Sequence, residues 1–204
     1  MSSKFMSVLF FYLCCLPMLA FAHAGGPVSY GGFAQGLWHP VLGLDHLLAM
    51  VSVGVLSAQM GGRALWRVPV AFIVAMVVGG VAGMNVPTEF WQDFNMYRII
   101  EVGIALSVVL LGGAIALKRN LPVCMAMAFV ALFGIFHGAA HGLEIPDLAL
   151  SWAYIAGFVI GTSVLHIAGV GIGRLSSCIV NGVVMLRYVG AVIAGMGLHI
   201  LWTL

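Results

Sequence analysis

Six apolar stretches follow one another along this chain with hardly a charge inside them, at approximately 40–60, 68–86, 97–117, 121–141, 149–173 and 184–204. A helix rises about 1.5 Å per residue, so roughly 20 apolar residues cross the hydrocarbon core of a bilayer. Only short breakers separate the stretches: Gly61-Gly62-Arg63, Asn85-Val86-Pro87, Lys118-Arg119-Asn120-Leu121-Pro122, Glu144-Ile145-Pro146-Asp147 and residues 174–181. With 63% of its residues hydrophobic and 7% charged, a soluble fold of this size could not hide its apolar surface. The fold class is therefore an all-α membrane protein, a six-helix transmembrane bundle. No soluble domain and no G-x-x-x-x-G-K phosphate loop is present, so a nucleotide-driven pump is disfavoured. A net charge of +2 gives no reason to expect nucleic acid.

The N-terminus carries the pattern of a cleavable signal peptide over residues 1–22. Lys4 is the positive end, residues 5–19 the apolar centre, and Ala20-Phe21-Ala22 the small-x-small site. Residues 23–204 then form the transmembrane domain, with His23 first and able to offer an amine and an imidazole together. Cys14 and Cys15 leave with the signal. Cys124 and Cys178 show no C-x-x-C pattern and read as small buried hydrophobes.

Charge sets the orientation. With the signal exported, Arg63, Arg67, Lys118, Arg119, Arg174 and Arg187 fall on the cytoplasmic side, and Arg98 is the exception. Glu89, Asp93, Glu144 and Asp147 fall outside or at outer helix ends. Both termini of the mature chain then lie on the outer side of the membrane.

Ionisable groups inside apolar stretches are costly, so they point to function. His137 and His141 are four apart and share one helix face, with Glu144 continuing the stripe. His39 and His46, seven apart, share a face of the first stretch, and Pro40 suits its first turn. Asp45 stands beside His46 as ligand or orienting partner. The topology brings both groups to the outer third of the bundle, with Glu101 at a similar depth. Two imidazole pairs with carboxylates suit a divalent transition metal such as nickel, cobalt, zinc or iron, in an N/O site. His166, deep in the fifth stretch, and His199, in the sixth, are candidate pathway residues. Gly134, Gly138 and Gly142 thin one side of the fourth stretch for a neighbouring backbone, and Gly79-Gly80-x-x-Gly83, Gly112-Gly113 and Gly169-x-Gly171-x-Gly173 mark further tight helix contacts. Met50, Met60, Met76 and Met84 read as filler.

These residues carry a family resemblance. His39, five residues, then Asp45-His46 matches one motif of the HupE/UreJ family of hydrogenase and urease accessory membrane proteins. Phe136-His137-Gly138-Ala139-Ala140-His141-Gly142-Leu143-Glu144 matches its second at every fixed position. The signal peptide and six-helix layout also resemble that family. The mature start, His23-Ala24-Gly25-Gly26-Pro27, departs from the His-Ala-His-Pro of many relatives. The resemblance implies secondary uptake of nickel, or cobalt, supplying hydrogenase or urease maturation, with maturation proteins as partners.

Two other classes compete. An intramembrane metalloenzyme would want the Glu of H-E-x-x-H, but Gly138 follows His137, which leaves Glu144 or Glu101 to replace it. A metal-binding accessory or delivery protein would bind without conducting. Three helices plus three also suggest an inverted repeat; Val102-Gly103-Ile104-Ala105 loosely echoes Val189-Gly190-Ala191-Val192.

Overall fold

The computed structural model describes residues 32–87, 95–118, 121–144 and 151–204, apart from the side chains of Glu144 and Ser151. The expected signal peptide, His23, Glu89, Asp93, Arg119 and Asp147 lie outside these residues. Among the described residues the chain forms seven helices and no strands. They are α1 (Gly32–Leu42), α2 (Leu44–Met60), α3 (Ala64–Asn85), α4 (Met96–Leu117), α5 (Val123–Glu144), α6 (Ser151–Ser177) and α7 (Gly182–Thr203).

Helices α3 to α7 are each long and apolar enough to cross a membrane; α1 and α2 pass that test only as a pair, bent by 80°. The straight first helix expected from residue 40 is thus corrected. Pro40 lies near the end of α1, not in a first turn. It has no N–H to give the Gly36 carbonyl, which weakens the helix where it stops. Gly43 then takes an extended conformation (φ −84°, ψ 116°) and serves as the N-cap of α2.

Glycine decides which helices touch. Gly134, Gly138 and Gly142 present a bare side of α5 to the carbonyls of Phe72, Met76 and Gly80 on α3, and a Cβ at any of the three would collide with that backbone. Gly79 and Gly83 return the contact from α3. Helix α6 is straddled by α1, through Gly36, Gly157 and Gly161, and by α2, through Gly54 and Gly169. Helices α4 and α7 run antiparallel, joined where Gly112 faces Gly190 and Gly197 faces Val109. Gly113 and Gly171 depart from the expected tight contacts, since both face open space.

Between these pairs lies an apolar core that includes Met50, Val53, Leu56, Val68, Phe72, Met76, Val108, Leu111 and Val130. The outward faces are apolar as well: Val70, Val74 and Val78, four apart on α3, are all exposed. Exposed Trp66 at the start of α3, and Trp152 and Trp202 at the far ends of α6 and α7, fall where interfacial tryptophans sit on a membrane protein. Cys124 and Cys178 are exposed, not buried. Each stands at a helix end, where neighbouring helices no longer cover it.

Two hydrogen bonds tie one end of the bundle together. Gln59 Nε2 donates to the Ile115 carbonyl at 3.4 Å and Arg187 Nε to that of Ala116 at 2.7 Å. The end of α2, the end of α4 and the start of α7 therefore meet there, with Arg63, Lys118 and Arg187 among them. The histidine motifs lie toward the opposite end.

Candidate metal site

Three helices deliver the site. Helix α5 carries Phe133, His137 and His141 four apart on one buried face, α1 brings His39 near its C-terminus, and α2 brings Asp45 and His46 in its first turn. The 80° break folds His39 back toward α5. So His39 and His46 do not share a helix face as expected; they belong to two helices, and their rings meet edge to face at 6.0 Å between centroids. His46 lies 4.9 Å from His137 and 4.6 Å from His141, and His39 lies 4.5 Å from His141. Four imidazoles and one carboxylate thus form a continuous cluster.

Hydrogen bonds fix which nitrogens face inward. Nδ1 of His137 lies 3.0 Å from the Phe133 carbonyl. A carbonyl only accepts, so Nδ1 carries the proton and Nε2 holds a lone pair. Nδ1 of His46 lies 2.8 Å from Oδ1 of Asp45, which gives the same tautomer with the carboxylate accepting. The Asp45 oxygen also accepts from the His46 backbone N–H at 2.8 Å. Both Nε2 atoms are buried and have no hydrogen-bond partner. An unpaired buried group of this kind costs about 1–3 kcal/mol. Carbonyl or carboxylate behind one ring nitrogen, with the other left as a donor, is the arrangement of a metal-ligating histidine. The donors therefore fit a borderline divalent cation.

The coordination sphere is not preassembled. Among the described residues no group of three or more His, Cys, Asp or Glu is arranged to hold a metal ion. The rings pack against one another, so an ion held among them would require them to turn about their side-chain torsions. Exposure falls in order from the mouth inward: the Asp45 side chain is 31% exposed and that of His46 11%, whereas His137 is fully buried. Beside the cluster, Met76, Gly80, Gly138, His141, Tyr154 and Phe158 help to line a cavity of about 20 Å³, room for a single water.

Not every candidate joins the cluster. Glu144 ends α5, one turn beyond His141, and its side chain lies outside the description. Glu101 and His199 are exposed, on α4 and α7, and face away from the core. His166 is buried but sits deeper. Sequence reasoning missed the aromatic wall. Phe158 lies 3.8 Å from His141, Tyr154 6.2 Å from His39, and Phe72 5.4 Å from His137. Tyr154, Phe158, Thr162 and His166 recur every fourth residue, a periodicity that could have disclosed a polar-aromatic face on α6.

The family described as HupE / UreJ protein matches residues 11–200. Protein HupE of Rhizobium leguminosarum bv. viciae is 39% identical over 160 residues, 78% of each chain. No solved structure matches. The cluster built by His39, Asp45-His46 and the His137–His141 pair thus sits on the motifs by which this chain resembles that family, and the chain belongs to the HupE/UreJ family.

Proposed function

We propose that this protein is a secondary transporter that takes up nickel, with cobalt or zinc as lesser substrates, across a bacterial inner membrane. The observation that carries the reading is the meeting of His39, His46, His137 and His141, from three helices, in an otherwise apolar bundle. The metal ion is cargo. Graded burial, from partly exposed Asp45 to fully buried His137, favours an entry route from one side. With the basic helix ends cytoplasmic and the cluster periplasmic, a membrane potential favours inward movement of a divalent cation by roughly 4.6 kcal/mol per 100 mV. Both mature termini are then periplasmic, after removal of a signal peptide. Supply of metal to hydrogenase or urease maturation follows from the family, as do maturation proteins as partners.

Transport is favoured over intramembrane hydrolysis for a steric reason. The residue after His137 is Gly138, pressed against the Met76 carbonyl, so no general-base Glu could stand there. We further propose a 3+3 inverted repeat. Exchanging the halves maps the α2–α6 pair onto α5–α3 and leaves α4–α7 paired with itself, and each pair is seated on glycines.

The test is nickel, cobalt and zinc uptake in cells expressing the native chain and His141→Ala at matched membrane levels. Collapse of uptake at limiting nickel is expected. Equal uptake by the two would sink the transport reading and leave the motif an assembly role.

A further inference from the structure

Below the cluster, α6 carries another buried histidine. His166 is 2% exposed, and neither of its ring nitrogens has a hydrogen-bond partner. Leaving a buried polar group unpaired is costly, and an apolar side chain would avoid that cost. Its backbone is seated on α2, where the carbonyl of His166 lies against Gly54.

The neighbours of His166 continue the path from the outer cluster. The Phe72 ring meets His137 edge to face at 5.4 Å and His166 at 5.3 Å. It therefore touches both the innermost ring of the cluster and His166. One turn along α3, Met76 accepts a hydrogen bond at its sulfur from the Thr162 hydroxyl, 3.7 Å away. Thr162 lies one turn from His166 on the same face of α6, and Phe72, Met76 and Thr162 are all buried.

We propose that His166 is an inner station for the divalent transition-metal ion, reached from His137 when the Phe72 ring turns aside, with Thr162 and Met76 as assisting donors. The inference rests on the uptake reading above. One imidazole with a thioether and a hydroxyl holds such an ion more weakly than several imidazoles. That order suits transport, since an ion must bind well enough to enter and weakly enough to leave. Phe72 keeps the stations apart, so an ion does not sit between both sets of donors at once.

The test uses the purified full-length protein in lipid, with nickel and cobalt as probes. The native chain is expected to bind two nickel ions at saturation. His166→Gln should bind one, keep the affinity of the outer site, and lose influx by roughly ten-fold or more. His166→Cys keeps a donor, so its cobalt-loaded form should gain a thiolate charge-transfer absorption that the native chain lacks, and recover part of the influx. A His166→Gln protein that binds and transports like the native chain overturns the inner station while leaving uptake intact. So does a His166→Cys protein that takes up cobalt without the thiolate band. A native chain that neither binds nor accumulates nickel overturns both readings together.

Discussion

One oxygen of Asp45 accepts both from the backbone N–H of His46 and from its ring Nδ1, at 2.8 Å each. The carboxylate stands in the first turn of α2, where the helix dipole favours a negative charge, and it fixes the ring with Nε2 pointing away. The pair is thus an oriented donor at the mouth of the cluster. Asp45→Asn retains the size but can present its NH₂ to the ring, which would reverse the tautomer. Nickel uptake at limiting concentration should fall by about 10–100-fold, the loss typical of an orienting partner. Unchanged uptake at matched membrane levels would show that the orientation of His46 is not needed.

Gly43 creates the space for that pair. A Cβ at Gly43 would lie 3.1 Å from Oδ1 of Asp45 and 3.2 Å from Nδ1 of His46, so the pair would have to shift by a few tenths of an ångström. The φ of −84° is open to any residue, so no backbone strain arises. Gly43→Ala should therefore insert normally and raise the apparent KM for nickel, with a smaller change in maximal rate. A drop in membrane abundance without a change in KM would place the role of Gly43 in the helix break instead.

The helices and their order could be read from apolar runs and breakers, because a bilayer demands helices of nearly fixed length. His137, His141 and the bare glycine side of α5 were legible too, since spacing by four survives any tertiary arrangement. What could not be read was the break at Gly43. An isolated Gly three residues after Pro40 fits a straight helix or a bent one, and only α6, seated against both α1 and α2, decides between them. Phe72 was hidden for a related reason: a lone aromatic residue in an apolar helix carries no mark of facing a site instead of lipid, whereas Tyr154 and Phe158 share a four-residue spacing with Thr162 and His166 that could have marked their face. The exposed Glu101 and His199 show the converse, for depth along a helix says nothing about which way a side chain faces.

Gly138 offers a stability test independent of metal. Its added methyl would strike the Met76 carbonyl, which is backbone and cannot swing away, so α3 and α5 would have to separate. Overpacking of this kind costs about 1–3 kcal/mol, occasionally more. Gly138→Ala should lower the thermal unfolding midpoint of the detergent-solubilised protein. Gly171→Ala, which faces open space, should not. Equal midpoints for the two variants would mean that the glycine contact between α3 and α5 is looser than these distances require.

The chemistry of the donors also fixes which ions should compete. Magnesium and calcium are hard cations that seek oxygen ligands and hold their water, and the described cluster offers imidazole nitrogen with one carboxylate already engaged by His46. Cobalt and zinc accept imidazole readily. Cobalt or zinc at roughly ten-fold excess should therefore inhibit nickel uptake substantially, while magnesium or calcium at about a hundred-fold excess should leave it nearly unchanged. Replacing His46 with Asp should move the balance by exchanging a nitrogen donor for oxygen, weakening nickel relative to magnesium. The measurement is initial-rate nickel uptake in cells at matched membrane levels, with each competitor titrated separately. Inhibition by magnesium as strong as that by cobalt would mean that carboxylates, not the four histidines, select the ion.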